Sequence, residues 1–513
     1  MKRISQVLRV SLAALLTITV LLSIFPAAPL AAQAASVRYL VVAKADTLPD
    51  GLADQVTAAG GTISAVLPEV GIIAVESANP NFVATVSAIK EVQTVVPDVL
   101  VPWVSAEDVA AMGQNTSLTT FTGQATGANL PNYVPLQWNL AAIHAPEAWA
   151  TGARGRGVRV AVLDAGFELS HPDFMWVDPT AGPVSNIDAA SGVSFVPEEF
   201  LQFNSSLPVV SHATHVAGII AAADNGFGVT GVAPEATIVP IKVLRDYDLQ
   251  GDFTWIIQGI YYAANLQGDQ AVDVINMSLG AAVFKNGWCD ENGSCVGKKE
   301  IKELLDALKR AIKYADKQGI TVVAAAGNTT PDDPTIDMDH VGDLLFIPAD
   351  TKGAITVSAT GPVGLAFNPS QDLDQPAFYS RYGKSYTDFT APGGNSDVNF
   401  FLDFLYNGCQ GGSPFCTPLA PGIPVGVLDW VWSTANLSFG GWLPMTGTSM
   451  ASPHVAGVAA LIIGQNGGSM KPDKVKEALK KSADDLDKLH AGDLYGKPDF
   501  YGDGRVNAFN AVK

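Results

Sequence analysis

Positive charge is scarce in this chain. There are 31 lysines and arginines against 50 aspartates and glutamates, for a formal net charge of −19 over 513 residues. A chain so acidic repels a phosphate backbone, so nucleic acid is not an expected partner. Cysteine is scarce as well: Cys289, Cys295, Cys409 and Cys416 are the four, and none stands in C-x-x-C spacing. Long apolar runs are nearly absent. The one candidate, Val10 to Phe25, is short for a span of about 20 residues and stops at Pro26 and Pro29, which argues against a stable membrane anchor. His212 and His215 form an H-x-x-H pair, but the glutamate base of a zinc hydrolase is missing from that stretch.

What is present begins with an export pattern. Lys2, Arg3 and Arg9 precede the apolar stretch, and Ala32-Gln33-Ala34 has the small-x-small form of a cleavage site. Residues 1–34 are therefore expected to be a signal peptide and the protein to be secreted. In an oxidising compartment the two close cysteine pairs predict disulfides Cys289–Cys295 and Cys409–Cys416, with a four-cysteine zinc site as the competing reading. Each bridge would contribute roughly 2 kcal/mol by loop closure.

Residues 36–103 read as a small α+β domain. Apolar strands near 37–42, 62–67, 71–76 and 92–96, with helices near 48–59 and up to Ile89, give the order βαββαβ of the ferredoxin-like arrangement. Residues 104–133, rich in Thr, Asn, Gly and Gln, read as a flexible linker. From 134 to 513 the pattern is α/β. Apolar runs recur at Val158–Leu163, Thr237–Val243, Val272–Ser278, Ile320–Ala326 and Ala354–Ala359, with helices between. The clearest helix, about Lys298 to Lys317, sets Ile301, Leu304, Leu305, Leu308 and Ile312 on one face. Uniformly apolar strands alternating with helices predict a mostly parallel buried sheet. Ligands in such sheets sit at the carboxyl ends of the strands, where Asp164 falls.

Three stretches carry chemistry. Gly447-Thr448-Ser449-Met450-Ala451-Ser452-Pro453-His454 is a turn running into an apolar helix. A serine there sits among unpaired helix N–H groups, which favour negative charge; alone, it would more often be a cap. Val160-Ala161-Val162-Leu163-Asp164 is a strand ending in a carboxylate, and Ser211-His212-Ala213-Thr214-His215 a second turn into a helix. The segment is not the Gly-x-Ser-x-Gly of esterases. Carboxylate, imidazole and hydroxyl follow in the order Asp164, His212, Ser449. A serine hydroxyl needs an adjacent base, and a base needs an orienting group, so the set suits acyl transfer. The histidines at 215 and 454 read as packing residues.

These three blocks together resemble the subtilisin-like serine proteases, or subtilases, from about Gln137 to Gly464, and the order of the three residues is that of subtilisin itself. The resemblance implies a serine endopeptidase acting on extended protein or peptide substrates, expected as a monomer. It implies Asp164, His212 and Ser449 as catalytic triad and Asn328, after the strand ending Ala324-Ala325-Ala326-Gly327, as oxyanion donor. It implies Ser278, Leu279 and Gly280 as one cleft edge, Gly251 at the opposing edge, and Ala326 and Gly327 in the wall of an apolar specificity pocket. Residues 36–103 resemble the inhibitory propeptide of the family, whose tail lies in the cleft until cleaved. A structural Ca²⁺ is implied at Gln137, Asp173 and the loop oxygens of Ala223, Asn225, Phe227 and Val229, with an ordinary Asn-Gly turn as the alternative. Two positions depart from the family pattern: Ala165 stands where Ser or Thr usually follows the aspartate, and Ala213 where Gly usually follows the histidine.

Overall fold

A computed structural model describes residues 36–104, 130–178, 180–289, 295–329, 336–420, 423–489 and 499–513. The expected signal peptide lies outside the described residues. Val104 and Tyr133, the ends of the expected linker, are both buried, and residues 105–129 between them are likewise outside the described residues.

The N-terminal unit has the expected order: β1 (Val37–Ala43), α1 (Leu52–Ala58), β2 (Thr62–Leu67), β3 (Ile72–Ser77), α2 (Phe82–Ser87) and β4 (Val92–Pro97). The strands pair antiparallel in the spatial order β2-β3-β1-β4. Leu40, Val41, Val42 and Ala43 are all fully buried, because both faces of the sheet are covered. Val41, Ala43, Ile73 and Val75 pack under α1 and α2 with Leu52, Val56, Phe82 and Val86. Leu40, Val42, Ile72 and Ala74 face the other way and join the core of the larger unit.

The larger unit is a seven-stranded, wholly parallel sheet. In chain order its strands are β6 (Arg159–Asp164), β7 (Val193–Ser194), β8 (Thr237–Lys242), β10 (Val274–Met277), β11 (Thr321–Ala325), β12 (Ala354–Thr360) and β13 (Phe389–Pro392), and across the sheet they lie as β13-β12-β11-β10-β6-β8-β7. A short strand, β5 (Leu100–Pro102), pairs antiparallel with β9 (Gln250–Asp252) outside the main sheet. Val160 to Leu163 are fully buried, as a strand flanked on both edges and both faces must be. The crossover helices are α3 (His212–Ala221), α4 (Phe253–Asn265) and α5 (Lys298–Lys317), and α6 (Thr448–Gln465) crosses the sheet through contacts with β10, β11, β12 and β13. The α5 boundaries agree with its sequence period; Ile301, Leu304, Leu308 and Ile312 are buried and Leu305 packs half-buried beside them. No helix among the described residues is long and apolar enough to cross a membrane.

The two units meet where the N-terminal sheet lies on α4 and α5. Arg310 on α5 donates to the carbonyls of Ala43 and Ala45 at 2.9 and 3.0 Å and to Gln93 Oε1 at 2.8 Å, and Gln93 donates to Glu303 at 2.6 Å. Tyr261 on α4 donates to Glu69. Both disulfides close as expected, Cys289–Cys295 across a hairpin and Cys409–Cys416 in the insert beyond β13.

Candidate active site

Asp164 ends β6, an interior strand of the sheet, with its side chain sealed from solvent. Both carboxylate oxygens lie on His212 Nδ1, at 2.9 and 2.8 Å. The imidazole stands at the first residue of α3. The helix begins there because Ser211 caps it: Ser211 Oγ accepts the N–H of Thr214 at 3.2 Å. The same hydroxyl makes a second short contact, donating to the carbonyl of Gly166 at 2.8 Å, so the cap also ties α3 to the turn that follows Asp164. The C-terminal part of α3 crosses residues 433–434 closely, and Gly218 provides the room, since a Cβ there would collide with Thr434 and Ser433.

Ser449 is the second residue of α6, which packs against α3. Its hydroxyl donates to the carbonyl of Ser278 at 3.1 Å, and Ser278 Oγ donates to the carbonyl of Ser449 at 2.7 Å. One helical turn on, Ser452 donates to Asn276 Oδ1 at 2.7 Å. The exit of β10 is thus sewn to the helix that carries the serine. Asn328 lies beyond β11, and its Oδ1 accepts both the N–H of Thr448 at 2.9 Å and its hydroxyl at 2.8 Å. That pair of bonds sets the amide so that Nδ2 faces Gly447. A Cβ on Gly447 would sit 3.2 Å from Asn328 Nδ2 and 3.7 Å from the backbone nitrogen of Ser449. Two donors therefore border one small space, and the residue beside it is a glycine at φ 152°, a value that side chains other than hydrogen rarely adopt.

The two segments expected as cleft edges are paired with the chain itself. β5 runs along β9, with Val101 opposite Gly251. Trp103 is gripped from both sides: its N–H donates to Leu249 O at 3.3 Å, and its carbonyl accepts the N–H of Gly280 at 2.6 Å. Its indole N–H donates to Gly251 O at 3.0 Å, and its ring meets Phe253 edge to face. Gly251, Ser278 and Gly280 are thus brought to one groove, while Leu279 points into the core. Ala326 and Gly327 follow β11 as expected. The ring of Phe346 backs both Gly280 and Gly327 so closely that a Cβ on either would strike it. Phe346 and Trp103 were not legible beside the site, and Ser211 and Thr448 stood inside the quoted stretches without a role of their own. Trp103 carried a weak signal, as the lone tryptophan of the N-terminal unit, at its very end.

His215 and His454 are packing groups. His215 Nε2 lies 3.0 Å from Leu443 O, and His454 Nδ1 lies 2.7 Å from Met450 O. Burial pushes them down to about 3 and about 4, so both are neutral at ordinary pH. His212 and His215 address different partners and form no metal pair.

Of the expected calcium ligands, Asp173 and the loop at 223–229 come together. Asp173 is sealed; its Oδ2 accepts the N–H of Val229 at 2.8 Å and of the Trp442 indole at 2.7 Å. Its Oδ1 has no partner among the described residues. Burial raises this carboxyl to about 7. Asn225 closes the loop, its Oδ1 accepting from Phe227 at 3.3 Å and its amide donating to Met175 O at 3.0 Å. Gln137 stands at the exit of the same loop. Its Oε1 accepts the N–H of Thr230 at 2.8 Å and its Nε2 donates to the Thr230 carbonyl at 2.9 Å, so it braces the loop's exit, and Oε1 keeps a second lone pair.

Comparison with known proteins agrees with this geometry. The subtilase family model, peptidase S8, matches residues 155–497. Thermitase of Thermoactinomyces vulgaris is 30% identical over 386 residues, covering 75% of this chain and 99% of its own. Subtilisin E of Bacillus subtilis (strain 168) is 30% identical over 376 residues, covering 73% of this chain and 71% of its own. Among solved structures, the epidermin leader peptide processing serine protease of Staphylococcus aureus superposes with a TM-score of 0.64 at 21% identity, over 93% of this chain and 98% of that one.

Proposed function

The chain belongs to the subtilase family and is a serine endopeptidase, and from that premise we propose that Asp164, His212 and Ser449 are its catalytic triad. The observation that carries this reading is the bidentate approach of Asp164 to His212 Nδ1, at 2.9 and 2.8 Å in a site closed to water. His212 takes the proton of Ser449 as the hydroxyl attacks the peptide carbonyl and returns it to the leaving amine. Asp164 holds the imidazole in one tautomer and stabilises its cation. The N–H of Ser449 and Nδ2 of Asn328 receive the oxyanion in the space beside Gly447. Substrate adds along Gly251 on one side and Ser278 to Gly280 on the other by backbone bonds, with Ala326 and Gly327 beside the residue at the scissile bond.

The N-terminal unit is an inhibitory propeptide in this reading. Its support is the tail itself, Leu100 to Trp103, hydrogen-bonded to both cleft edges. The enzyme is made as a precursor, exported by residues 1–34 and processed by its own active site; the export step rests on the sequence alone. Ca²⁺ suits Asp173, whose buried Oδ1 has no hydrogen-bond partner among the described residues and whose other oxygens hold the loop through the N–H groups of Ala223 and Val229; Gln137 and the oxygens of Ala223, Asn225, Phe227 and Val229 would complete the set. Bound there, the ion would neutralise a buried carboxylate and hold the loop after α3.

The test is secretion of the wild-type chain and of Ser449→Ala. Wild type should yield a processed form that digests casein and is blocked by phenylmethylsulfonyl fluoride. Ser449→Ala should accumulate as the intact precursor with no digestion. Casein digestion by purified Ser449→Ala would overturn the assignment.

A further inference from the structure

We propose that Asp246 is a positioning residue for peptide-bond hydrolysis: by holding the N–H of Gly166 it fixes the turn that aims Asp164 at His212. The inference rests on the triad assigned above.

β8 lies parallel to β6 with Lys242 opposite Asp164. The Lys242 side chain is completely buried, and a buried ammonium must be paired. Its partners are Asp246, four residues on, and Glu199 at 3.0 Å. Asp246 is itself 5% exposed, so the pair is held away from bulk water. The carboxylate does more than neutralise the lysine. Its Oδ1 accepts the N–H of Gly166 at 2.8 Å and its Oδ2 the N–H of Asn204 at 3.0 Å, while its own N–H donates to Glu199 at 3.0 Å. The cluster is closed on itself, which locks the rotamer of Asp246.

The Asp164–Gly166 turn is therefore held at two points by one segment. The carbonyl of Asp164 accepts the N–H of Val243 at 2.8 Å, and Gly166 is held by Asp246 two residues later. The approach at Gly166 is one that only glycine permits, since a Cβ there would lie 2.6 Å from Asp246 Oδ1. Gly166 is also the residue whose carbonyl accepts the Ser211 hydroxyl at the cap of α3. One glycine thus links Asp246 on its amide side to the helix bearing His212 on its carbonyl side. A carboxylate has two side-chain torsions, so its position relative to Nδ1 follows the backbone at 164–166. Small misplacements of catalytic groups cost rate steeply.

Single substitutions would strand a buried charge, so the test compares two double variants in which Lys242 is made neutral. Lys242→Met with Asp246→Asn keeps an oxygen to accept the Gly166 N–H. Lys242→Met with Asp246→Ala keeps none. Processed enzyme of each is assayed on a peptide substrate, and its inactivation by phenylmethylsulfonyl fluoride is timed, which reads activation of Ser449 without peptide binding. The expected result is kcat about tenfold lower in the alanine pair than in the asparagine pair, a fraction of the 10²–10⁴ that a positioned base supplies, with KM within twofold and the inactivation rate falling in parallel. Equal kcat and equal inactivation in the two pairs, or a loss confined to KM, overturns the proposal. Failure of both pairs to fold overturns it too, because the cluster would then serve folding. Retained activity in Ser449→Ala would instead sink the triad reading.

Discussion

Asp98 of the N-terminal unit accepts the backbone N–H of Phe253 at 3.1 Å, capping the first turn of a helix that belongs to the other unit. Asp252, the helix's own cap, accepts from Trp255 at 2.9 Å. Two buried carboxyls therefore share one helix N-terminus, and Arg38, 2.9 Å from Asp252, is the cation beside them, with Glu76 adding further negative charge.

That arrangement makes docking pH-dependent. Burial raises Asp98 from the ordinary value of 3.8 to about 6 in the docked state, and raises Asp252 as well. The docked state then holds a proton that the free unit has released between those values, so docking strengthens as pH falls from about 6 toward 4 and weakens as it rises. The cleaved N-terminal unit should co-elute with the catalytic unit at pH 4–5 and separate more readily at pH 7, with affinity changing up to about tenfold per pH unit in the window. Asp98→Asn should flatten the profile; an unchanged profile in that variant would remove Asp98 as the cause.

Trp103 is the anchor of the tail. Truncating a buried anchor of this kind costs at least about 2 kcal/mol, which is about 30-fold in affinity. Trp103→Ala should release the cleft sooner after processing, read as a shortened lag before peptide hydrolysis begins. A lag equal to wild type would assign inhibition to the sheet contacts with α4 and α5 instead.

Asn328→Ala should lower kcat with little change in KM. A subtilisin that lacks one such donor loses about 10²–10³ in turnover. Because Asn328 Oδ1 also accepts from Thr448, Asn328→Asp is the informative partner: it keeps that acceptor and removes the donors. Recovery of kcat in Asn328→Asp would show that the bond to Thr448, and not oxyanion binding, is what the residue contributes.

Removing calcium should lower Tm. A ligand at a hundredfold excess over its Kd stabilises by about 2.7 kcal/mol, so a chelator should cost several degrees, and Asp173→Asn should abolish the response. A chelator without effect on wild-type Tm would eliminate the site at Asp173.

The parallel sheet could be read from the chain because its strands are buried on both faces and appear as unbroken apolar runs. Val158–Leu163 and Thr237–Val243 were expected, and Arg159–Asp164 and Thr237–Lys242 are observed. The edge strands escaped notice because they are short: Val193–Ser194 is two residues long and Phe389–Pro392 four. At the proposed site, Asp164, His212 and Asn328 could be singled out because each ends or follows a strand or begins a helix with a recognisable pattern. Nothing local to Gln137 announces its partner, the backbone of Thr230, 93 residues away. Phe346, Lys242 and Asp246 were invisible for the same reason, since their partners lie across the fold.

The placement of the two disulfides has one more consequence. One spans a hairpin and the other an insert, and neither joins strands of the seven-stranded sheet or residues lining the groove. A thiol-rich medium would slacken two peripheral loops and leave the hydrolytic apparatus standing. Durability under reducing conditions is thus written into where the sulfur atoms are not.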